Sequence, residues 1–237
     1  MARTAIWTSI SSALTSDIAE GRYGPGDKLP TEAALATRFG VNRHTVRRAL
    51  AAMAESGLVH PRRGSGVFVT QTPTDYPIGR RVRFHQNLTA AGRTPAKTIL
   101  TLETRLADTK EADALKLTNL PTDVHVYEGL SLADDTPIAV FRSVFPAARF
   151  PGLLNDLDDT RSVTQALLRH GIADYTRAST RLTAKMANAT QALHLRISEG
   201  APILRTVGIN IDESGTPIEF GHTWFAGERV TLTVDDL

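Results

Sequence analysis

Apolar residues that recur at four-residue steps predict a helix at the start of the chain. Ile6, Ile10, Leu14 and Ile18 would form one stripe of this helix, because residues four apart lie on the same helical face. Gly21 and the Gly-Pro-Gly sequence that follows it are typical of a helix end. The chain is therefore expected to begin with an amphipathic helix.

Two shorter helices are predicted around a tight turn at Gly40. The first opens at Thr31 and has Leu35 and Phe39 on its core side. The second begins at Asn42, a residue that is favoured as an N-cap. Its apolar face consists of Val46, Ala49, Leu50 and Met53.

A basic hairpin is predicted after these helices, over Val59–Thr70, which reads VHPRRGSGVFVT. Two β-rich runs flank the tip Arg62–Gly66, whose glycines can adopt positive φ angles. Three helices followed by a basic hairpin indicate a winged helix-turn-helix, which we assign to residues 1–70.

This half of the chain resembles the GntR family of bacterial transcription regulators over residues 5–70. The resemblance is carried by LPTEAALATRFGVNRHTVRRALAAM, which ends at Met53, and by the later run GLVHPRRGSGVFV. Two positions depart from the family pattern. Asn42 stands where the family has Ser or Thr, and Ala33 stands where it often has a basic residue. The resemblance implies a DNA-reading domain that lacks one contact made by some relatives.

The second of the two short helices is basic at its start and apolar on its other face, which suits the DNA major groove. Arg43 can form a forked contact with a guanine edge, worth roughly 1–3 kcal/mol of discrimination. Arg47, one turn on, is expected to bind phosphate, and the hairpin tip suits the minor groove or the backbone. A basic helix that is merely solvated is the alternative. The predicted DNA-contacting residues are Thr31, Asn42, Arg43, His44, Thr45, Arg47, Arg63 and Gly64.

Periodicity changes in the rest of the chain. Residues 71–79 contain two prolines and little periodicity, and they predict an extended linker. Residues 80–237 predict an α+β domain with a mixed or antiparallel sheet, because hairpins replace regular βαβ alternation. The predicted strands are 95–106, 125–132, 137–145, 174–186, 202–211, 217–225 and 229–234. The predicted helices are 84–91, 110–117, 161–170 and 189–197.

A weak internal repeat runs through this second half. ALKL at 114–117 is echoed by ALHL at 192–195, and Thr-Pro-Ile at 136–138 is echoed at 216–218. Each repeat would be a helix followed by a β-hairpin, and two such repeats can share one sheet and leave a cleft between them. Chance similarity between two hairpins is the alternative.

The second half resembles the effector domain of the HutC-type branch of GntR regulators, known as the UTRA domain. The motifs are RRVRFHQNLTAAGRTP from Arg80, the Leu-Ala-Asp turn at 132–134 with its Thr-Pro-Ile, and the ending PIEFGHTWFAGERVTL. The first and last of these are most similar to the branch that controls phosphonate uptake and use. The resemblance implies a chorismate-lyase-like fold, and we expect this domain to form the homodimer.

Four cationic or potentially cationic groups lie within residues 80–85. They could form an anion site, contact the DNA backbone or remain solvated. In relatives that sense sugar phosphates, the ligand lies beside this segment, at positions that here hold Arg83 and His85. Two arginines often complete that site, and here their places hold Gly129 and Ser131. The departure predicts that anion binding has moved to Arg83, His85 and nearby backbone N–H groups.

The remaining candidates lie on predicted strands. Arg142 could add a second forked contact to an anion, or it could pair with a carboxylate at the sheet surface. Glu219 and Tyr127 could bind an amine or hydroxyl of the ligand, whereas His222 and Trp224 are interpreted as structural residues. The predicted effector-binding residues are Arg83, Phe84, His85, Tyr127, Arg142 and Glu219.

Charge is distributed unevenly along the 237 residues. The net charge is +2, and residues 1–72 hold nine Lys or Arg and five Asp or Glu, so the first part carries +4 and the rest −2. The absence of cysteine excludes a disulfide framework and a thiolate metal site. No apolar run approaches the ~18 residues of a membrane helix. We expect a cytoplasmic protein without metal or cofactor.

Motifs of common hydrolases and nucleotide-binding enzymes are absent from the sequence. The acidic runs at 134–135 and 156–159 are interpreted as turns or helix starts, so no catalytic residues are assigned. The sequence predicts a repressor that binds an inverted-repeat operator in double-stranded DNA as a homodimer and senses a small phosphate-, phosphonate- or sulfate-like anion. The alternatives are the same regulator sensing a sugar phosphate or other small organic acid, and a chorismate-lyase-type enzyme with a DNA-binding appendage.

Overall fold

A computed structural model describes residues 5–62, 64–71, 73–118 and 121–234. The chain divides into two compact domains, Met1–Thr72 and Pro73–Leu237, which are described separately. The boundary falls within the segment for which the sequence predicts a linker. No helix in the described part of the chain is long and apolar enough to cross a membrane.

The first domain is a winged helix-turn-helix, as the sequence predicts. Its elements are α1 (Ile6–Ala19), α2 (Glu32–Phe39), α3 (Arg43–Glu55), β1 (Val59–Arg62) and β2 (Gly66–Val69). The two strands pair antiparallel. The apolar faces of the three helices meet in a core with the hairpin, formed by Ile10, Leu14, Leu29, Leu35, Val46, Ala49, Leu50, Met53, Val59 and Val69.

The turn between α2 and α3 follows from local sequence. Thr31 caps α2, since its hydroxyl accepts a hydrogen bond from the Ala34 amide at 3.2 Å. Gly40 ends that helix with a φ of 64°, a left-handed conformation that is accessible to glycine at low cost. Asn42 then caps α3. The start of the predicted recognition helix is therefore fixed by Gly40, which ends α2, and by Asn42, which begins α3. Both residues have the roles that the sequence predicts, and one residue separates them.

The second domain contains the remaining described elements. They are β3 (Thr74–Pro77), α4 (Phe84–Ala90), β4 (Pro95–Leu106), α5 (Thr109–Leu115), β5 (Asp123–Ala133), β6 (Thr136–Pro146), α6 (Leu153–Thr160), α7 (Val163–Arg169), β7 (Thr176–Met186), α8 (Ala189–Leu195), β8 (Pro202–Ile211), β9 (Pro217–Ala226) and β10 (Val230–Thr233). Six strands form one antiparallel sheet in the order β4-β5-β6-β9-β8-β7, and β10 pairs with β3 in parallel.

The internal repeat is confirmed by this topology. β4, α5, β5 and β6 form one half of the sheet, β7, α8, β8 and β9 form the other, and β6 pairs with β9 between them. The two helices correspond closely. Each begins with a capping box, at Asp108 and Asn188, and each ends at a left-handed residue, Lys116 with φ 52° and Arg196 with φ 53°. The echo in sequence thus marks two equivalent halves of a single sheet.

The predicted linker differs from the structure at residues 74–77, which form β3. This strand pairs with β10 near the far end of the chain, and Tyr76 packs against Phe225 in the core. The sequence did not predict this strand because the two prolines of residues 71–79 indicate a linker and because its partner strand lies far away in sequence. Sequence patterns for strands depend on neighbouring residues only.

The helix predicted over 161–170 is confirmed as α7, and it is preceded by a helix that the sequence did not predict, α6. Arg161, with a φ of 51°, separates them. The acidic run at 156–159, interpreted as a turn or a helix start, lies within α6. Burial of Leu153 and Leu157, one turn apart, holds this polar segment helical.

Candidate functional site

The start of α3 presents the predicted DNA-reading side chains on an ordered cap. The Asn42 side-chain oxygen accepts hydrogen bonds from the Thr45 amide at 2.9 Å and from the Thr45 hydroxyl at 3.0 Å. Arg43 and His44 are exposed between these two residues. Asn42 and Thr45 therefore brace the turn, while Arg43 and His44 are the side chains that extend from it.

Arg47 is held by a carboxylate of the neighbouring helix. Its Nε and Nη2 donate hydrogen bonds to the two oxygens of Glu32, at 3.2 and 2.9 Å. This contact holds the pKa of Glu32 below its usual value. The guanidinium remains exposed, so Glu32 fixes its direction without covering it.

The hairpin tip has the glycine conformation that the sequence predicts. Gly64 has a φ of 73° and is exposed. Gly66, with a φ of 119°, lies against Lys28, where an added Cβ would stand 2.7 Å from Cε. Arg63, the other predicted contact at this tip, lies outside the described residues.

A cavity of about 110 Å³ lies in the second domain, on one face of the six-stranded sheet. Helices α5 and α8 cover the other face, where they pack against apolar residues such as Val126 and Val140. Both repeats contribute to the cavity. Its walls are formed by Tyr76, Ile78, Val82, Phe84, His85, Lys97, Ser131, Phe141, Ser143, Ser162, Val163, Thr164, Tyr175, Arg177, Thr180, Thr206, Asn210, Glu219, Thr223 and Phe225.

Arg177 brings a guanidinium to the cavity from the start of β7. Its Nη1 lies directly on the backbone of Gly208 in β8, where an added Cβ would be 1.6 Å away. Its Nε is buried and has no hydrogen-bond partner among the described residues. A buried donor without a partner costs on the order of 1–3 kcal/mol. The cavity therefore contains a cation with unused hydrogen-bonding capacity.

Lys97 supplies a second cation from β4. Its Nζ lies 4.2 Å from the ring centre of Phe141 and 5.2 Å from that of Phe84. Burial lowers the pKa of Lys97 to about 8, and the negative charge of Glu219 partly opposes this effect. An anion beside Lys97 would stabilise its protonated form.

Glu219 is the carboxylate of the cavity and is 8% exposed. The Ser143 hydroxyl donates a hydrogen bond to Oε1 at 2.5 Å, and the Asn210 amide donates one to Oε2 at 2.5 Å. Both donors are neutral, so they orient the carboxylate without neutralising its charge.

Gly129 and Ser131 in β5 stand where relatives that sense sugar phosphates often have arginines, and the structure shows the surroundings of both positions. An added Cβ at Gly129 would lie 2.4 Å from the carbonyl oxygen of Thr98 and 2.8 Å from Cζ of Phe141, so a side chain does not fit there. Ser131 lines the cavity, directly opposite Lys97 in the neighbouring strand. β5 therefore has no arginine at these two positions, and Lys97 of β4 brings a positive charge to the cavity instead.

Three of the six predicted effector-binding residues line this cavity, namely Phe84, His85 and Glu219. Burial, followed by the charge of Lys97, lowers the pKa of His85. His85 is therefore neutral at neutral pH and does not act there as a third cation.

Arg83 is not among the residues that line the cavity, because its guanidinium binds elsewhere. Nη2 donates to Asp174 at 2.8 Å and to the Tyr175 carbonyl at 2.8 Å, and the guanidinium lies 3.6 Å from the Tyr175 ring centre. Arg83 therefore contacts Tyr175, which lines the cavity, without lining the cavity itself. It holds Tyr175 in place, and its charge is compensated by Asp174.

Tyr127 and Arg142 also lie outside the cavity walls. Tyr127 is fully buried against Phe141, and burial raises the pKa of its hydroxyl. Arg142 is on the opposite face of the sheet and forms an ion pair with Glu128. The alternative of a carboxylate partner at the sheet surface is the one that the structure bears out for Arg142.

We expect anion binding in the cavity to weaken as Lys97 loses its proton. With a pKa of about 8, raising the pH from 7 to 9 should lower the affinity for inorganic sulfate up to about tenfold. Sulfate keeps its charge over this range, and His85, whose pKa is lowered, is already neutral. Tyr76 and Tyr175 have raised pKa values and do not ionise.

Calorimetry across this pH range measures the effect, with Lys97→Arg as the control. Arginine stays protonated, so the variant should show a flat profile. A wild-type affinity that is constant from pH 7 to 9 would contradict the role of Lys97.

Comparison with known proteins identifies both domains. Residues 8–69 match the family described as bacterial regulatory proteins, gntR family, and residues 90–231 match the UTRA domain. The probable transcriptional regulator PhnF of Escherichia coli is 32% identical, over 97% of this chain and 94% of that protein. The transcriptional repressor NagR of Bacillus subtilis is 27% identical, over 96% and 93%.

The fold is shared with a solved structure, PhnF from Mycobacterium smegmatis. The TM-score is 0.65 at 23% identity, over 98% of this chain and 99% of that one. Relatives in sequence are named as transcription regulators, in agreement with a DNA-binding role. The chain belongs to the GntR family of bacterial transcription regulators, in its HutC-type branch, with a GntR DNA-binding domain followed by a UTRA domain.

Proposed function

We propose that this protein is a ligand-responsive repressor that binds an inverted-repeat operator as a homodimer and senses a small phosphate-, phosphonate- or sulfate-like anion. The observation that carries the proposal is the pairing of two sites in one chain. One domain exposes Arg43 on a capped recognition helix, and the other holds Arg177 and Lys97 in the walls of a cavity. The first suits DNA and the second suits a small oxyanion.

The homodimer follows from how such a domain reads DNA. One winged helix-turn-helix reads one half-site, so an inverted repeat requires two copies related by a two-fold axis. The second domain offers places for self-association, because β4 and β7 are open edges of the sheet. Leu182 and Met186 on β7 are 47% and 67% exposed, and self-association along this edge would bury them.

Control by the anion requires that the ligand favour one arrangement of the protein over another. Tyr175 and Arg177 line the cavity. Residues 174–177 also bind residues 80–83, the segment by which the chain enters this domain. The Arg177 amide donates to the Arg80 carbonyl at 2.8 Å, and Asp174 binds both Arg81 and Arg83. A ligand that moves Arg177 can therefore act on the chain segment that leads to the DNA-binding domain.

An anion of small size is better supported than a sugar phosphate. The positions where sugar-phosphate relatives often carry arginines hold Gly129, which has no room for a side chain, and Ser131.

The named relatives also include a repressor, NagR, and a regulator, PhnF, which supports repression over catalysis.

The experiment is selection of DNA duplexes from a randomised pool by the full-length protein, followed by gel shifts of the enriched duplex with and without inorganic phosphate and methylphosphonate. We expect an inverted repeat to be enriched, a complex with two protein chains per duplex, and a change in affinity with one of the anions. Enrichment of no sequence would overturn the regulator, whereas enrichment of a single half-site bound by one chain would overturn the dimer. Operator binding that neither anion changes would count against anion sensing.

A further inference from the structure

We propose that the ligand of the cavity is a compact zwitterion, with an oxyanion bound by Arg177 and Lys97 and an ammonium group bound by Glu219. This inference rests on the proposed effector role of the cavity and names the chemical class that fits it.

The first step is the state of Glu219. This carboxylate is 8% exposed, and its two oxygens accept hydrogen bonds from Ser143 and Asn210, both of which are neutral. A buried carboxylate is stable only when positive charge lies nearby. Each carboxylate oxygen can accept more than one hydrogen bond, so capacity remains for a donor from the ligand.

The second step is competition for the two cations. Lys97 and Arg177 are the cationic side chains that line the cavity near Glu219, and the charge of Glu219 acts on Lys97. An oxyanion that binds both cations would add negative charge to the cavity that already holds this carboxylate. An ammonium group on the same ligand removes this repulsion, because it replaces the lost positive charge at Glu219.

The third step is the match of formal charge. The walls hold two cationic side chains and one carboxylate, since His85 is neutral at neutral pH. A ligand with a doubly charged oxyanion and one ammonium group is complementary to all three groups. A phosphate or phosphonate that bears an amine has this charge pattern, whereas a simple dianion brings no cationic group to Glu219.

The fourth step is size. The cavity volume is about 110 Å³, well above the roughly 10–15 Å³ that a cavity needs to hold one water, so a compact ligand of several non-hydrogen atoms fits. An oxyanion joined to an amine by two or three carbons is of this size. Hydroxyl groups around the walls, such as those of Ser131, Thr206 and Thr223, can complete the hydrogen bonds of either end.

The experiment compares three compounds of the same length: 2-aminoethylphosphonate, 2-hydroxyethylphosphonate and propylphosphonate. They place an ammonium, a hydroxyl or a methyl group at the same position. Calorimetry with the full-length protein at pH 7 should show the amine binding at least tenfold more tightly than the propyl compound, with the hydroxyl compound between them.

Two variants test the assignment to Glu219. Glu219→Gln keeps the shape of the side chain and should reduce the preference for the amine to threefold or less. Glu103→Gln makes the same change at an exposed residue of β4 and should keep the full preference. A thermal melt of each variant checks that it is folded.

The outcomes separate this inference from the proposed function. Similar affinities for the three compounds would overturn the zwitterion while leaving the cavity as an anion site. A preference for the amine that persists in Glu219→Gln would overturn the assignment to Glu219. If none of the compounds binds, the zwitterion is overturned, and the enrichment of an operator by selection still decides whether the protein is a DNA-binding regulator.

Discussion

Replacing Arg43 by alanine is expected to remove most of the ability of the protein to distinguish its operator from other DNA. Arg43 is exposed at the first position of a helix whose start is fixed by Asn42, so its guanidinium can reach a base edge with little loss of order. A forked contact to guanine is worth roughly 1–3 kcal/mol per half-site. The ratio of affinities for operator and scrambled DNA should fall at least about tenfold.

The contrast with Arg47 makes the prediction specific. Arg47 is fixed by Glu32 and is expected to bind phosphate, so Arg47→Ala should weaken binding to both duplexes equally. The slope of log affinity against log salt should fall by about 1 for each phosphate contact that is lost. Arg43→Ala should change the ratio, and Arg47→Ala should change the salt dependence.

Fluorescence anisotropy on a duplex selected by the wild-type protein, and on its scrambled counterpart, measures both quantities. Arg48→Ala is a matched control, because it removes the same charge from a side chain that lies over the Trp7 ring. This control should leave the affinity ratio unchanged. An unaltered ratio in Arg43→Ala would show that another residue reads the bases.

The DNA-binding domain was predictable because its signals are local. The caps at Thr31 and Asn42, the stop at Gly40 and the apolar stripes all act within one or two helical turns. The same holds for the repeated helices α5 and α8, whose capping residues precede them directly. Each of these features needs only the residues beside it in sequence.

The cavity was less predictable because it is assembled across strands. Lys97 and Arg177 come from opposite edge strands of the sheet, and no spacing in the sequence brings them together. Arg177 is admitted only because Gly208 stands beside it in β8, a match of register that the sequence does not reveal. The basic run around Arg83 was a stronger local indication of an anion site. However, the Arg83 guanidinium binds Asp174, 91 residues away in sequence, and does not line the cavity.

Glu219 and His85 were found for different reasons. Glu219 is a charged residue between apolar neighbours on a strand, which marks a buried polar group with a role. His85 belongs to the basic run after the linker, in which Arg81 and Arg83 bind Asp174 instead. The charge run therefore indicated a segment that reaches the cavity, but only the folded chain shows which of its side chains lines the cavity.

Replacing Arg177 by alanine should abolish most ligand binding while leaving operator affinity without ligand intact. Hydrogen bonds to charged groups contribute about 1.5–3 kcal/mol each, and a forked contact makes two, so affinity for inorganic phosphate and for 2-aminoethylphosphonate should fall about 100-fold or more. The Nε of Arg177 is buried and has no hydrogen-bond partner among the described residues.

Two further variants exclude a general loss of structure or charge. Arg205→Ala removes an arginine from β8 that also has a buried, unpartnered Nε among the described residues, but on the face opposite the cavity. It should retain wild-type ligand affinity. Gly208→Ala keeps Arg177 but places a Cβ 1.6 Å from the present position of Nη1, so the guanidinium must move. Its ligand affinity should fall as well.

Calorimetry and gel shifts on the three variants measure both halves of the expected result. If the guanidinium itself binds the anion, Arg177→Ala and Gly208→Ala lose ligand affinity together and Arg205→Ala does not. Full ligand affinity in Arg177→Ala would place the anion at Lys97 alone, because Lys97 is the other cationic side chain in the described cavity walls. A loss confined to Arg177→Ala would mean that the charge matters but its fixed position on Gly208 does not.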